Sequence, residues 1–239
     1  GKETSAAPGA DPFSSPDQLL EQIPQFILQD NLYGVDLSPE AVEITQLALW
    51  IRSATRGHTL ATLSKNIVHG NSLVHDPAVH PAGFNWRERF PEVFQRLPLP
   101  KGEGRGEGEA ESDAATQKDT AQSGFDCVIG NPPWERMDLA EREFFSLSAP
   151  NIASAATGAK RKRLVDALVE SDPPLFARYE AAKEEKDAQR LYCRNSGEYP
   201  LTGKGRTNCY AAFSELAMNI LSGTGAAALL VPSGIASDK

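Results

Sequence analysis

Four short apolar segments, separated by helical ones, limit the fold of this chain more than any other feature of its sequence. They are residues 31–36, 65–73, 125–129 and 226–232. A helix is predicted at 39–55, with Ser38 as its N-cap and Pro39 as its first residue, and another at 209–221. Strands that alternate with helices are typical of a parallel sheet covered by helices. The sequence therefore predicts an α/β protein with a doubly wound, mostly parallel, Rossmann-like sheet.

Composition distinguishes a lead-in and two inserts from the rest of the chain. Residues 1–24 are rich in small and polar residues without periodicity and predict a disordered lead-in, and 101–124 is a low-complexity insert almost without apolar residues. Three helical segments, 138–146, 159–170 and 172–192, lie in a second insert at 138–206. We interpret 25–239 as one partial domain that carries both inserts.

Composition also excludes several classes of protein. No stretch of 18 apolar residues and no signal peptide is present, which predicts a soluble, cytoplasmic protein with no membrane association. Three cysteines without CxxC spacing argue against a disulfide framework and a zinc site, so no metal is predicted, and Cys127 is interpreted as a small core residue. The net charge of −8 is not that of a typical nucleic-acid binder. A basic surface for DNA would have to be local, or lie outside this chain.

Polar residues follow three of the predicted strands: Asp36, then Asn71 with Ser72, then Asn131. Ligands of doubly wound sheets gather at the carboxyl ends of strands, so we expect these residues to converge on one pocket. Asp36 can accept hydrogen bonds from a ribose, although a helix cap or a solvated turn explains it equally well. For Asn71, which follows a glycine, an ordinary turn is the favoured interpretation.

The tetrapeptide Asn131-Pro132-Pro133-Trp134 is more specific. Two consecutive prolines fix the backbone into a rigid rim, on which the Asn131 side-chain oxygen and the Pro132 carbonyl can face outward as acceptors. Two convergent acceptors suit an exocyclic amino group, whose lone pair they free for attack on an electrophilic methyl. Trp134 offers a face for a base taken out of the stack. The alternative is a tight turn with Trp134 packed in the core.

These segments resemble the adenine-specific DNA methyltransferases of large restriction–modification and phage-defence systems. "NPPW" looks like their catalytic motif, which implies that Asn131, Pro132, Pro133 and Trp134 are catalytic. "NLYGVDLSPEAVEITQLALWI" resembles the segment that holds the ribose of S-adenosylmethionine, here through Asp36 and Leu37. "GNSL", with Asn71 and Ser72, is similar to the segment beside the cofactor adenine, and the stretch from 207 to 238 resembles the helix and strand that follow the catalytic loop.

The resemblance implies a class I methyltransferase that modifies double-stranded DNA with S-adenosylmethionine as cofactor. One family feature is absent: no glycine-rich cofactor loop precedes Asn31. In the family that loop follows a central strand, between the strands that end at Asp36 and Asn131. We therefore expect a domain incomplete at both ends, with target-recognition and possible nuclease parts elsewhere in the polypeptide. We also expect the chain alone to bind S-adenosylmethionine weakly or not at all.

Three alternatives stay open. The motif also suits methyltransferases that act on RNA guanine or on protein glutamine, although the long insert after Trp134 favours DNA. An inactive, truncated methylase fragment is the non-enzymatic alternative. A dehydrogenase is not supported, because the sequence contains no GxGxxG motif.

The basic run Lys160–Arg163 can contact phosphates, but a solvated helix face is the favoured interpretation for it.

Overall fold

The computed structural model of the chain describes residues 23–54, 62–94, 123–205 and 207–236. Its contacts divide it into two compact units, residues 1–71 and 72–239. Among the described residues no helix is long and apolar enough to cross a membrane. The predicted disordered lead-in lies outside the described residues as far as position 22, as does the low-complexity insert between 101 and 122.

The first unit contains two parallel strands and the helix between them. A helical segment begins at residue 23 and ends in a π-helical turn, Ile27–Asn31, which is followed by strand β1 (Gly34–Asp36), helix α1 (Pro39–Ser53) and strand β2 (Ile67–His69). β1 and β2 pair in parallel, with Asp36 opposite His69. The predicted N-cap is confirmed, since the Ser38 hydroxyl accepts a hydrogen bond from Ala41 N at 3.1 Å.

A small apolar cluster holds this unit together. Its buried members are Leu28, Val42, Leu63 and Ile67. They come from the π-helical turn, from α1, from the approach to β2 and from β2 itself. Burying side chains of this size stabilises a fold by about 1.5–3 kcal/mol each. The cluster therefore fixes α1 against the strand pair and sets the position of the β1 carboxyl end.

The second unit contains the other strand pair, β3 (Phe125–Gly130) and β4 (Leu221–Leu229), which is also parallel. Helix α9 (Cys209–Ile220) precedes β4 directly. The predicted boundary here was wrong: the helix ends at Ile220, and the strand begins at Leu221 rather than at 226. The reason is a register irregularity, in which Phe125 pairs with Leu221 and Cys127 already with Ala226.

Among its described residues the second unit contains seven further α-helices. They are α2 (Trp86–Arg89), α3 (Pro91–Phe94), α4 (Glu141–Ser148), α5 (Pro150–Ala153), α6 (Gly158–Asp166), α7 (Leu168–Ser171) and α8 (Pro173–Asn195). The last five share one apolar core, formed by Phe145, Ala149, Ile152, Val165, Leu168, Leu175 and Tyr179. This core makes the helices after the Asn-Pro-Pro-Trp segment one packed body.

The strand pairs are parallel, as the sequence predicts, but the described strands form two separate two-stranded sheets. A single doubly wound sheet, with a further strand between β1 and β3, is compatible with this pairing and stays a prediction. The β3–β4 pair is largely exposed, and Ile129 has 76% of its surface open to solvent. Cys127, on the same strand, is exposed as well, so its interpretation as a core residue was wrong.

Candidate functional site

The Asn-Pro-Pro-Trp segment leaves the sheet at the carboxyl end of β3. The last backbone bond of the ladder runs from Leu230 N to Gly130 O at 2.9 Å, immediately before Asn131. Asn131 is exposed, and its side chain makes no hydrogen bond with any described residue. Pro132 is buried, whereas Pro133 is exposed. One proline therefore anchors the segment in the protein while the asparagine amide stays open to a ligand.

Trp134 is exposed and anchored at the same time. Its ring has 56% of its surface open to solvent, so the alternative that it packs in the core is wrong. Its indole N–H donates a hydrogen bond to the carbonyl of Leu230, at 3.2 Å, just beyond the end of β4. Such a bond contributes about 0.5–1.5 kcal/mol, enough to favour one orientation of the ring. An oriented, exposed aromatic face is a platform on which a nucleic-acid base can stack.

A second anchor lies directly after Trp134. Glu135 O accepts a hydrogen bond from Cys209 N at 3.0 Å, Met137 N donates to Thr207 O at 3.3 Å, and Arg136 forms an isolated antiparallel bridge with Asn208. The Met137 side chain is fully buried in a cluster with Leu73, Cys193 and Tyr199. The Asn-Pro-Pro-Trp segment is thus held on both sides, by β3 before it and by the approach to α9 after it.

Glu215 supports that second anchor, and sequence reasoning missed it. This carboxylate on α9 is 2% exposed and accepts three hydrogen bonds, from Leu201 N at 2.9 Å, Thr202 N at 2.8 Å and Thr202 Oγ1 at 2.6 Å. It fixes the backbone of Leu201 and Thr202, in the loop that precedes Thr207. Because Thr207 accepts the hydrogen bond from Met137, Glu215 also supports the segment that follows Trp134. The available signal was an acid within the apolar sequence of α9, since buried carboxylates need partners.

Asp36 and Leu37 lie at the carboxyl end of β1, in the first unit. Asp36 is exposed, and its Oδ1 accepts a hydrogen bond from Ser38 N at 2.8 Å. Its second carboxylate oxygen makes no hydrogen bond with the described residues. Asp36 thus combines the helix-cap turn that the sequence allowed with a free acceptor that suits a ribose hydroxyl. Leu37 beside it has 46% of its surface exposed and offers an apolar contact.

Asn71 and Ser72 follow β2. Gly70 N donates to Asp36 O at 2.9 Å, so the turn before Asn71 is tied to the end of β1. Asn71 is only 3% exposed, and Ser72 is half-buried with its carbonyl accepting from the indole N–H of Trp86 at 3.3 Å. Asp36 and Asn71 are therefore neighbours within the first unit. The expected convergence of these residues with Asn131 stays a prediction.

Titratable groups packed beneath the second anchor are held in their neutral forms. Burial raises the pKa of Cys193 to about 12 and also raises the pKa of Tyr199 and of Cys209. A thiol with such a pKa is a poor nucleophile, so we interpret these side chains as packing groups. In the part of the chain that the structure describes, no group of three or more His, Cys, Asp or Glu could hold a metal ion. The Asn131–Trp134 segment thus offers a ligand an amide and an aromatic face, and Asp36 offers a carboxylate oxygen.

A sequence profile of one family, Eco57I restriction-modification methylase, matches residues 30–162, more than half of the chain. The matched range contains Asp36, Asn71 and the whole Asn131–Trp134 segment. No curated protein and no solved structure matches the chain.

Proposed function

The chain belongs to the Eco57I restriction-modification methylase family, and on that premise we propose that it methylates adenine in double-stranded DNA. The methyl group comes from S-adenosylmethionine and is transferred to the exocyclic amino nitrogen of the base. The biological setting in this proposal is the modification step of a restriction–modification or phage-defence system. Methylation of RNA or of protein glutamine is the alternative to be tested against it.

The observation that carries the proposal is the open amide of Asn131 beside the anchored, exposed ring of Trp134. The amino nitrogen of adenine is a poor nucleophile because its lone pair is delocalised into the ring. The exposed Asn131 side-chain oxygen accepts one of its two hydrogens, which favours a tetrahedral nitrogen with an available lone pair. The carbonyl of Pro132, a residue that is buried in this structure, would have to become accessible to accept the other. Acceptors that face the amino group strengthen this interaction as the transition state forms. This part of the reaction therefore needs no strong base.

Trp134 holds the base in this proposal. Adenine within a duplex is out of reach, so it has to be extruded, which costs a few kcal/mol in lost stacking and pairing. Stacking on an aromatic side chain stabilises the extruded base by about 1–3 kcal/mol and so offsets part of that cost. The hydrogen bond from the indole N–H to Leu230 means that the ring is already oriented before the base arrives.

The cofactor, in the same proposal, lies against the residues that follow β1 and β2. When bound, it supplies an electrophilic methyl group. Asp36 accepts hydrogen bonds from the ribose through its free carboxylate oxygen, and Leu37 adds an apolar contact. Asn71 is buried, so it acts by shaping the turn before Ser72 rather than as an exposed ligand.

Transfer of labelled methyl from S-adenosylmethionine to duplex DNA by the full-length protein, followed by nucleoside analysis, tests the proposal. Asn131→Ala should lower kcat by about 10²–10³-fold, because an acceptor is lost where charge develops, and should leave DNA affinity largely intact. The matched control is Asn151→Ala, since Asn151 is also exposed and its side chain makes no hydrogen bond with the described residues. Full activity of Asn131→Ala, or label on cytosine, would overturn the proposal.

Trp134 variants separate stacking from anchoring. Trp134→Ala should weaken binding of a duplex with an unpaired target adenine by about 1–3 kcal/mol. Trp134→Phe keeps an aromatic face but lacks the bond to Leu230, so its loss should be smaller. Label that reaches RNA or protein but not DNA would favour the alternative substrates.

A further inference from the structure

The four consecutive cations of α6 divide into one buried residue and three exposed ones. Arg161 is buried, and its guanidinium donates to Ile152 O at 3.4 Å and to Ala155 O at 3.3 Å. It also lies 3.9 Å from a carboxylate oxygen of Glu141 on α4. Arg161 therefore binds α6 to its neighbours and is not available to a ligand.

Lys160, Lys162 and Arg163 are exposed and make no ion pair with any described acidic residue. Successive helical residues are about 100° apart, so all three point at least that far from Arg161. Val165, one turn beyond Arg161, is buried on the same side as that residue. The three cations thus cover about 160° of the solvent side of α6, with Arg163 between Lys160 and Lys162. Asp166 is exposed as well, which leaves an excess of two positive charges there.

Physical connections fix α6 relative to the Asn-Pro-Pro-Trp segment. Glu141 contacts Arg161 and also accepts a hydrogen bond from the Tyr179 hydroxyl at 2.8 Å. Burial raises the pKa of Tyr179, and the hydrogen bond to Glu141 raises it further. The phenol therefore remains a donor. Glu141 follows Trp134 by seven residues, a separation that spans at most about 25 Å even when fully extended. The contact from Glu141 to Arg161 and the width of α6 add about 20 Å to this distance, so the exposed cations lie within less than two helical turns of duplex from Trp134.

We propose that Lys160, Lys162 and Arg163 form a phosphate-contacting surface, the basic face of α6, which binds the backbone of the duplex that carries the target adenine. The inference rests on the proposed function and adds to it a binding surface outside the site. With a net charge of −8, the chain as a whole repels DNA, so attraction must come from a local excess of positive charge. The shared core already fixes the backbone that carries these cations, so binding has to order only their side chains.

The test measures affinity of the full chain for a fluorescent duplex of about 20 base pairs while salt increases from about 0.05 to 0.5 M. Each neutralised phosphate contributes about 0.9 to the slope of log K against log salt. The triple variant Lys160→Gln, Lys162→Gln, Arg163→Gln should lose about two to three in slope, and on the order of 10²-fold in affinity at about 0.1 M salt. The charge-conserving control, Lys160→Arg, Lys162→Arg, Arg163→Lys, should keep the wild-type slope. Each single Gln variant should lose about 0.9.

The outcomes distinguish this inference from the proposed function. An unchanged slope and affinity in the triple Gln variant would overturn the inference, and methyl transfer to DNA would then leave the function intact. A reduced slope together with no label on DNA from the full-length protein would support the basic face and overturn the function. The basic face would be refuted as a DNA surface if the triple Gln variant lost salt dependence with RNA but not with the DNA duplex. It would also be refuted if the wild-type chain did not bind the duplex.

Discussion

A methyl group added at Gly203 should destabilise the second unit, because this glycine packs against backbone on two sides. A Cβ at this position would lie 2.3 Å from Cys193 O and 2.7 Å from Tyr199 O. Neither is the end of a flexible side chain, so the loop itself must shift. That shift opposes the hydrogen bond from Gly203 N to Tyr199 O, at 2.8 Å, and the bonds from Leu201 and Thr202 to Glu215.

The magnitude follows from these contacts. Overpacking a close-packed site costs typically about 1–3 kcal/mol, and each weakened hydrogen bond adds about 1 kcal/mol. We expect Gly203→Ala to lower the free energy of unfolding by about 3 kcal/mol. At the usual scaling for chains of this size, the transition midpoint should fall by about 6–12 °C.

Thermal unfolding and hydrogen exchange measure the effect together. Amides of the peptide around 199–205 should exchange faster in Gly203→Ala, since the loop is where the strain is relieved. Gly158→Ala is the matched control: the same methyl group at the start of α6 meets nothing within 4 Å, and alanine favours a helix. Equal midpoints for the two variants, or unchanged exchange around Gly203, would refute the steric argument.

Two further predictions concern buried groups of the same unit. Glu215→Gln replaces an acceptor oxygen by an amide that opposes a backbone N–H, and should cost about 1–3 kcal/mol in unfolding free energy. The exposed Glu170→Gln should cost nothing measurable, and equal effects in denaturant titrations would contradict the assigned role. At about pH 8, alkylation followed by mass spectrometry should label exposed Cys127 well before Cys193, whose pKa is raised to about 12 by burial. Labelling of Cys193 first would show that its cluster opens readily.

Local chemistry is what the sequence predicts well here. Ser38 defines the start of α1 through a hydrogen bond with Ala41, three residues away, and Pro39 through its fixed φ, so the pattern contains all the information that this boundary needs. The polar residues that follow each strand are also recognised from the sequence directly beside them, which is why Asp36 and Asn131 could be predicted as site residues. The family match includes both of these positions.

The wrong predictions depend on distant pairing. The last strand was predicted to begin at residue 226, whereas the pairing of Phe125 with Leu221 begins the strand earlier, across almost a hundred residues. The anchors of Trp134 on Leu230, and of Glu135 on Cys209, likewise join residues far apart in sequence. No periodicity encodes such contacts. Cys127 was misjudged because a β-strand pattern does not say which of its faces is covered.

The exposed, anchored indole of Trp134 also gives the protein an internal optical signal. Emission from a solvent-exposed tryptophan differs from that of the half-buried Trp50 and Trp86, the other two in the chain. A nucleobase stacked on the ring quenches this emission. Because the hydrogen bond to Leu230 restricts the ring, its fluorescence reports occupancy of one defined face rather than tumbling of a free side chain. In the reaction proposed above, arrival and departure of the extruded base should therefore change this emission, which needs no attached label.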